Sequence, residues 1–222
     1  MNQRAYFFID GSCLLMRIND LWHQNDKYKG CRLNIGMLSN SLGADWARYT
    51  GGHVSTTFYF LKGDARLSSH LVIPDSSELG ARNHWEVREC GKPTDSIPPE
   101  QLLKLDEQWR DRFKRGEKGL DMSLACDALM LAATERATEL IFLVNDSDYV
   151  PLFDALRRLG GNVYLAGLQK GLQTTKELCD LSDRYQTLDH VLDELFEKTC
   201  KWPSPLAKRY ANAQNSVSSG KS

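Results

Sequence analysis

The sequence predicts an α/β fold of three layers, in which helices cover both faces of a central parallel sheet. Short apolar segments with strand character alternate with segments of helical spacing, most clearly after Gly119. This alternation is typical of parallel sheets, because a helix usually makes the crossover between parallel strands. The length of 222 residues also suits one α/β domain. We assign residues 1–200 to this domain and expect a disordered tail over 201–222, which is polar and lacks apolar periodicity.

The first half of the chain contains strands that we identify by β-branched and aromatic residues, and helices that we identify by apolar spacing. The spacing of Leu14, Ile18 and Leu21 predicts a helix directly after the first strand. A second helix is expected to stop at Gly51. The predicted strands are "RAYFFID", which ends at Asp10, "HVSTTFYFLKG" and "HWEVREC", and the predicted helices are "CLLMRINDLWHQN", "IGMLSNSLGADWARYTGG" and the highly charged "EQLLKLDEQWRDRFKRGEK".

The second half has a cleaner pattern. The apolar segment 139–144 predicts a buried strand, of the kind found at the centre of a parallel sheet. The predicted elements are helices over 121–135 and 148–158, strands over 139–144 and 162–167, and helices over "TTKELCDLSD" and "LDHVLDELFEKTC".

Composition narrows the classes of function. A formal net charge of -1 argues against binding of nucleic acid by bulk electrostatics alone. The six cysteines include no C-x-x-C pair, which favours reduced thiols in a cytoplasmic protein. No basic-then-apolar leader opens the chain, and no stretch of about 20 apolar residues occurs, so we expect no membrane partner. The sequence leaves a homo-oligomer open.

Acidic residues stand where this architecture places ligands. Asp10 and Asp146 each end a predicted strand, and open parallel sheets bind ligands beyond the carboxyl ends of their strands. Asp121 starts a predicted helix, and Asp148 follows Asp146 by two residues. Asp127 falls in an otherwise apolar helical stripe, where an unsatisfied carboxylate is costly to bury.

Convergence of these acids requires compensation of their charge. Two carboxylates about 4 Å apart repel by about 4 kcal/mol at an effective dielectric near 20. A divalent cation removes this repulsion, and ligation by oxygen alone suits Mg²⁺ or Mn²⁺ rather than zinc. Such an ion assists the hydrolysis of a phosphodiester. On spacing alone, turns and helix caps explain Asp10, Asp121, Asp146 and Asp148 better than a joint metal site does, but they do not explain Asp127.

Three segments resemble a known family. "YFFIDGSCL", "KGLDMSLACDALMLA" and "IFLVNDSDYVPLFDALRRLGGNVYLAG" are similar, in this order, to the NYN domain family, a branch of the PIN-like nucleases. The resemblance implies a PIN-like α/β/α (Rossmannoid) fold and divalent-metal-dependent ribonuclease activity. It also implies catalytic and metal-binding roles for the acids, which are Asp10, Asp121, Asp146 and Asp148, with Asp127 as a further metal ligand or a residue that orients metal-bound water.

The chain departs from the family at a few positions. The family often has asparagine at the position of Cys13, and serine and glycine at the positions of Val144 and Asn145. All the acids are retained, so the resemblance still implies a metal site. Loss of the amide at position 13 is expected to change the hydrogen bonding that supports the ligands.

Contacts to an RNA substrate are expected beside the acids. The segment "WRDRFKRGEKG" carries several cations just before Asp121, which suits a phosphate backbone. The interleaved Asp111 and Glu117 fit a solvated helix face equally well. The candidate substrate-binding residues are Lys118, Arg112, Arg115, Ser12, Asn145 and Ser147.

The sequence therefore predicts a divalent-metal-dependent nuclease that acts on RNA and uses Mg²⁺ or Mn²⁺. Two alternatives stay open at this point. One is a catalytically silent RNA-binding module of the same fold, and the other is a phosphohydrolase acting on a small phosphate ester.

Overall fold

The computed structural model of this chain describes residues 5–50, 54–61, 64, 66–73, 84–90, 92–93, 117–134 and 139–197. The predicted charged helix before Lys118, with Arg112 and Arg115, lies outside the described residues. The predicted domain boundary at residue 200 and the predicted tail over 201–222 also lie outside them.

Strands and helices alternate along the described chain. The strands are β1 (Ala5–Asp10), β2 (Arg32–Asn34), β3 (Val54–Leu61), β4 (Leu71–Val72), β5 (His84–Cys90), β6 (Lys92–Pro93), β7 (Glu117–Lys118), β8 (Glu139–Leu143), β9 (Asn162–Gly167), β10 (Arg184–Thr187) and β11 (Phe196–Glu197). The helices are α1 (Gly11–Gln24), α2 (Ile35–Thr50), α3 (Arg66–His70), α4 (Leu120–Thr134), α5 (Val150–Arg158), α6 (Gln169–Thr174), α7 (Lys176–Leu181) and α8 (Leu192–Leu195), with 3₁₀ turns at Ser147–Tyr149 and Asp189–Val191.

The central sheet has six strands in the order β10-β9-β8-β1-β3-β5, and all its described pairings are parallel. The predicted three-layer α/β/α class is therefore confirmed. The chain winds from β1 outward through β3 and β5, and then from β8 outward through β9 and β10 on the other side. The strand order thus reverses between β1 and β8. At such a point a crevice opens at the carboxyl ends of the strands.

Two apolar clusters cover the two faces of this sheet. One contains residues of α1, α2 and α8, and the other contains residues of α4 and α5. All five residues of β8 are buried, as expected for a central parallel strand. The Phe8 and Phe142 rings stack across β1 and β8 with centroids 5.1 Å apart, and Phe153 of α5 packs against Phe142. This packing holds β1 and β8 side by side.

The structure corrects several predicted elements near the carboxyl terminus. The helix predicted over "LDHVLDELFEKTC" is short: after Leu195 the chain forms β11, because Phe196 pairs with Leu33 of β2 and stacks on Tyr28. The helix predicted over "TTKELCDLSD" is observed as α7, from Lys176 to Leu181, and the short helix α6 that precedes it was not predicted. The edge strand β10 and the small β11-β2-β4 sheet were not predicted. The described cysteines are free thiols, as predicted.

The junction between β1 and α1 depends on Gly11. A Cβ atom at this position would lie 2.4 Å from the carbonyl oxygen of Tyr59 and 2.9 Å from the Phe58 ring. Only a residue without a side chain lets the start of α1 approach β3 this closely. Gly11 therefore positions its neighbour, Asp10, against the sheet.

Replacement Gly11→Ala is expected to lower the free energy of unfolding by about 3 kcal/mol, because the methyl group meets backbone rather than a flexible side chain. Urea unfolding followed by circular dichroism measures this effect. Gln173→Ala, at an exposed position of α6, is the control and is expected to change the stability by less than about 0.5 kcal/mol. A Gly11→Ala variant as stable as the control would contradict the close approach.

Candidate active site at the carboxyl ends of β1 and β8

Asp10 is the most buried of the predicted acids. It ends β1, caps the amino terminus of α1, and exposes only 1% of its surface. Its Oδ1 accepts a hydrogen bond from the Cys13 backbone N–H at 3.0 Å. Its Oδ2 accepts from the Cys13 thiol at 3.2 Å and from the Tyr149 hydroxyl at 2.8 Å. Three donors therefore compensate a carboxylate that burial has removed from water.

Tyr149 joins Asp10 to Asp121. Its hydroxyl lies 2.8 Å from Asp10 Oδ2 and 3.0 Å from Asp121 Oδ1. A tyrosine hydroxyl carries one hydrogen, so it donates fully to one carboxylate at a time. When Asp10 is protonated, its carboxyl donates to Tyr149 and Tyr149 donates to Asp121, which satisfies both contacts. The two acids are thus brought together from the end of β1 and the start of α4.

The electrostatics of this pair follow from burial. Desolvation raises the pKa of Asp10 from 3.8 to about 6, and the charge of Asp121 adds to this effect. Hydrogen bonds from Cys13 and Tyr149 favour the ionised form and oppose the rise. Burial and the charges of Asp10 and Asp121 raise the pKa of Tyr149, so its hydroxyl stays protonated. The pair holds negative charge that a cation would stabilise.

Asp146 lies beyond the end of β8 and is exposed, as are Ser147 and Asp148. Its Oδ1 accepts from the Asp148 backbone N–H at 3.0 Å, so it caps the 3₁₀ turn that leads into Tyr149. Burial raises the pKa of the Cys13 thiol, and the charges of Asp10 and Asp146 add to this effect. Asp146 therefore caps a turn and also lies close enough to the Asp10 side of the crevice to act on the same group.

Asp127 makes its contacts elsewhere. Its Oδ2 accepts from the Tyr59 hydroxyl at 2.8 Å and forms an ion pair with the Arg88 guanidinium. Six residues separate it from Asp121, which places the two about 120° apart around α4 and about 9 Å apart along its axis. This explains how an acid sits in an apolar stripe: tyrosine and arginine satisfy it. A role for Asp127 at the metal stays a prediction.

The candidate substrate contacts fall into two groups. Ser12 is buried in the first turn of α1, and its Oγ has no hydrogen-bond partner among the described residues. Asn145 precedes Asp146 and, with its amide oxygen facing α1, accepts from Arg17 Nη2 at 2.9 Å. Lys118 pairs with Lys92 in the β6-β7 ribbon, and its side chain lies outside the described part of the chain.

Arg17 is a cation at this edge that the sequence did not single out. It holds Asn145 and forms an ion pair of 3.0 Å with Asp20. Asp10, Cys13 and Arg17 have helical spacing of i, i+3 and i+7, which places them on one face of α1. This spacing is the sequence signal that could have placed Arg17 near the acids. It identifies Arg17 only when Asp10 is known to cap α1.

The buried acids fit a divalent cation only in part. Within the described ranges, no group of three His, Cys, Asp or Glu side chains is placed to hold a metal ion. The Asp10–Asp121 pair nevertheless offers the oxygen ligands that Mg²⁺ prefers, and proteins often hold Mg²⁺ by one or two carboxylates with water and substrate phosphates. The donor set therefore fits a hard cation that keeps part of its water.

Comparison with known proteins gives a match to a family model over part of the chain. The family model of the NYN domain matches residues 93–189. This segment, which is less than half of the chain, is similar to the NYN domain family. NYN is a family of PIN-like nucleases, which suggests ribonuclease activity and implies an RNA substrate, and nucleases of this kind generally use divalent metals. The matched segment includes Asp121, Asp127, Asp146 and Asp148, whereas Asp10 precedes it.

The other comparisons add no relative. No curated protein and no solved structure matches the chain. Among the described residues, no helix combines the length and the apolar character needed to cross a lipid bilayer.

Asp10→Asn is expected to stabilise the metal-free protein above pH 6. The raised pKa means that the folded state binds a proton that the unfolded state releases, so ionisation of Asp10 costs stability as the pH rises from 3.8 through about 6. A shift of this size corresponds to roughly 3 kcal/mol, which is the upper limit of the gain. Urea unfolding in chelator at pH 7.5 and pH 4 measures it. The gain should shrink at pH 4, and a less stable variant at pH 7.5 would contradict the assignment.

Tyr149→Phe is expected to raise the pKa of Asp10 above about 6, because it removes a hydrogen bond that favours the carboxylate. Titration of the Asp10 carboxyl carbon by NMR measures the change. Tyr185→Phe, at an exposed tyrosine, is the matched control and should leave the titration unchanged. Identical titrations in both variants would show that Tyr149 does not hold this carboxylate.

Proposed function

We propose that this protein is a divalent-metal-dependent ribonuclease that hydrolyses phosphodiester bonds in RNA. The observation that carries the proposal is the convergence of Asp10 and Asp121 on one hydroxyl at the carboxyl edge of the sheet. At this edge the strand order reverses between the parallel strands β1 and β8, which is the usual position of a ligand site in such folds. The NYN match over residues 93–189 supports the same class of substrate.

The proposed role of each acid follows from its burial. Asp10 and Asp121 would hold Mg²⁺ or Mn²⁺ from the buried side, and Asp146 and Asp148 would face it from the exposed rim. When bound there, Mg²⁺ or Mn²⁺ would supply activation of water and neutralisation of charge on the leaving group. Asp10 is almost fully excluded from water. The hydrogen bond from the Asp148 backbone N–H to Asp146 Oδ1 holds the Asp146 carboxylate at the exposed rim.

Substrate contacts follow from the same edge. Ser147 is exposed between the two rim acids, and Ser12 and Asn145 flank Asp10 and Asp146 in the chain. Arg17, which orients Asn145, adds a positive charge beside them. Lys118, Arg112 and Arg115 precede Asp121 and are proposed to contact the phosphate backbone. These residues would hold the scissile phosphate against the carboxylates.

A second candidate is a catalytically silent RNA-binding module, and one observation favours it. Tyr149 already satisfies a carboxylate oxygen of Asp10 and one of Asp121, so its hydroxyl competes with a cation for them. We favour the nuclease because the tyrosine has one hydrogen for two acids. A divalent cation compensates both charges together, which a single hydrogen does not.

Labelled RNA incubated with the purified protein and Mn²⁺, with and without chelator, tests the proposal. Cleavage is expected only without chelator. Asp10→Asn and Asp146→Asn are each expected to lower the rate at least about a hundredfold while the fold is kept, because each removes a charge and keeps the shape. Glu177→Gln, an exposed acid of α7, is the control.

The outcomes separate the two candidates. RNA binding without cleavage by the parent protein would favour the silent module. Near-normal cleavage by both asparagine variants would place the chemistry elsewhere in the molecule.

A further inference from the structure

The Tyr149 hydroxyl occupies the point at which Asp10 and Asp121 meet. It lies 2.8 Å from Asp10 Oδ2 and 3.0 Å from Asp121 Oδ1. The tyrosine exposes only 2% of its surface and packs in the apolar cluster that also contains Leu120 and Phe153. Because protein interiors are closely packed, the enclosed ring does not move freely away from the acids. A cation that reaches both acids therefore meets a hydroxyl that the core holds in place.

Asp10 has little capacity left for a cation while this hydroxyl stays. A carboxylate has about four lone-pair positions. Oδ1 of Asp10 accepts from the Cys13 N–H, and Oδ2 lies within hydrogen-bond distance of both the Cys13 thiol and the Tyr149 hydroxyl. The N–H belongs to the backbone of α1, and a thiol is a weak donor. The Tyr149 hydroxyl is therefore the side-chain group that competes most strongly for Asp10.

The spacing of the two acids suits a hydrogen-bonded hydroxyl better than a coordinated ion. Mg²⁺ binds oxygen at about 2.0–2.1 Å. The two acid oxygens lie instead at 2.8 Å and 3.0 Å from the hydroxyl oxygen. A cation between the same two oxygens must displace the hydroxyl and draw both carboxylates inward. Coordination therefore competes directly with the contacts that Tyr149 already makes.

The hydroxyl is not needed for the packing of the ring. Phenylalanine presents the same ring to the apolar cluster and brings no polar group into it. Burial of a hydroxyl is costly unless it is hydrogen-bonded, and the contacts with Asp10 and Asp121 remove this cost. The role of the hydroxyl therefore lies in its contact with the two acids.

We propose that Tyr149 is an autoinhibitory contact that lowers the affinity of the Asp10–Asp121 pair for a divalent cation. The hydroxyl compensates part of the charge of the two acids, and this compensation is lost when a cation takes its place. The site then fills only at a higher cation concentration than the two carboxylates alone require. The inference rests on the proposed function, to which it adds a residue that regulates the uptake of the metal.

Calorimetric titration with Mn²⁺ tests the contact without any use of catalysis. The titrations are run at pH 8, above the pKa of Asp10 of about 6, so that protons compete little with the cation. Tyr149→Phe is expected to bind Mn²⁺ at least about tenfold more tightly than the parent, because no hydrogen bond to a charged group has to be exchanged for the cation. Tyr185→Phe, at an exposed tyrosine of β10, is the matched control and should bind as the parent does. Circular dichroism in chelator checks that each variant is folded.

A measurement on the parent protein does not depend on the fold of a variant. Tyrosines labelled with ¹³C at Cζ report the hydrogen bonding of their hydroxyl groups by NMR. Saturation with Mg²⁺ is expected to shift the Tyr149 signal, because its hydroxyl loses the two acids, and to leave the signal of the exposed Tyr185 unchanged. A Tyr149 signal that stays in place at saturation would overturn the competition.

The outcomes separate this inference from the proposed function. If Tyr149→Phe binds Mn²⁺ no more tightly than the parent, the autoinhibitory contact is overturned, and cleavage of RNA by the parent in Mn²⁺ would still support the nuclease. Tighter binding by Tyr149→Phe without cleavage by either protein would support the contact and contradict the nuclease. Tighter binding together with cleavage at a lower Mn²⁺ concentration in the variant would support both.

Discussion

The arrangement of the candidate active site depends on one buried carboxylate. Asp10 is almost fully removed from water at the end of β1, and its charge is compensated by the Cys13 backbone, the Cys13 thiol and the Tyr149 hydroxyl. Each donor requires a feature of the fold. Gly11 brings α1 against β3, α1 directs the Cys13 N–H, and the turn after β8 delivers Tyr149. The local backbone around the crevice is therefore organised by the need to satisfy this group.

Burial makes Asp10 useful and costly for the same reason. Desolvation raises its pKa to about 6, so the folded protein holds charge at neutral pH that its own structure disfavours. A cation that neutralises this charge would therefore gain binding free energy from the carboxylate, because the protein without a ligand leaves the charge poorly compensated. Active sites often carry such unfavourable groups, and their removal commonly stabilises the fold at the expense of function. Asp146 and Asp148 are exposed to solvent, which suits them to the outer side of the proposed site.

Helix α4 places Asp121 and Asp127 in two different environments, although the sequence predicts one cluster of acids. Asp121, in its first turn, meets Asp10 through Tyr149, whereas Asp127, further along, meets Tyr59 and Arg88. The helix is apolar on most of its surface, and its only two acids point to different neighbours. One cleft gathers carboxylates at the edge of the sheet, and the other gathers two carboxylates, a guanidinium and hydroxyls over β3 and β5.

The sequence by itself determined the class of fold, the main strands, and Asp10 and Asp146 at their carboxyl ends, because burial and side-chain periodicity are local signals. It did not determine that Phe196 would end a helix and pair with Leu33, since strand pairing depends on a distant partner. Nor did it separate Asp127 from Asp121, or identify Tyr149 as the link between Asp10 and Asp121. The partners of a polar side chain are set by the docking of elements far apart in the chain, and only the tertiary structure decides which carboxylates share a hydroxyl.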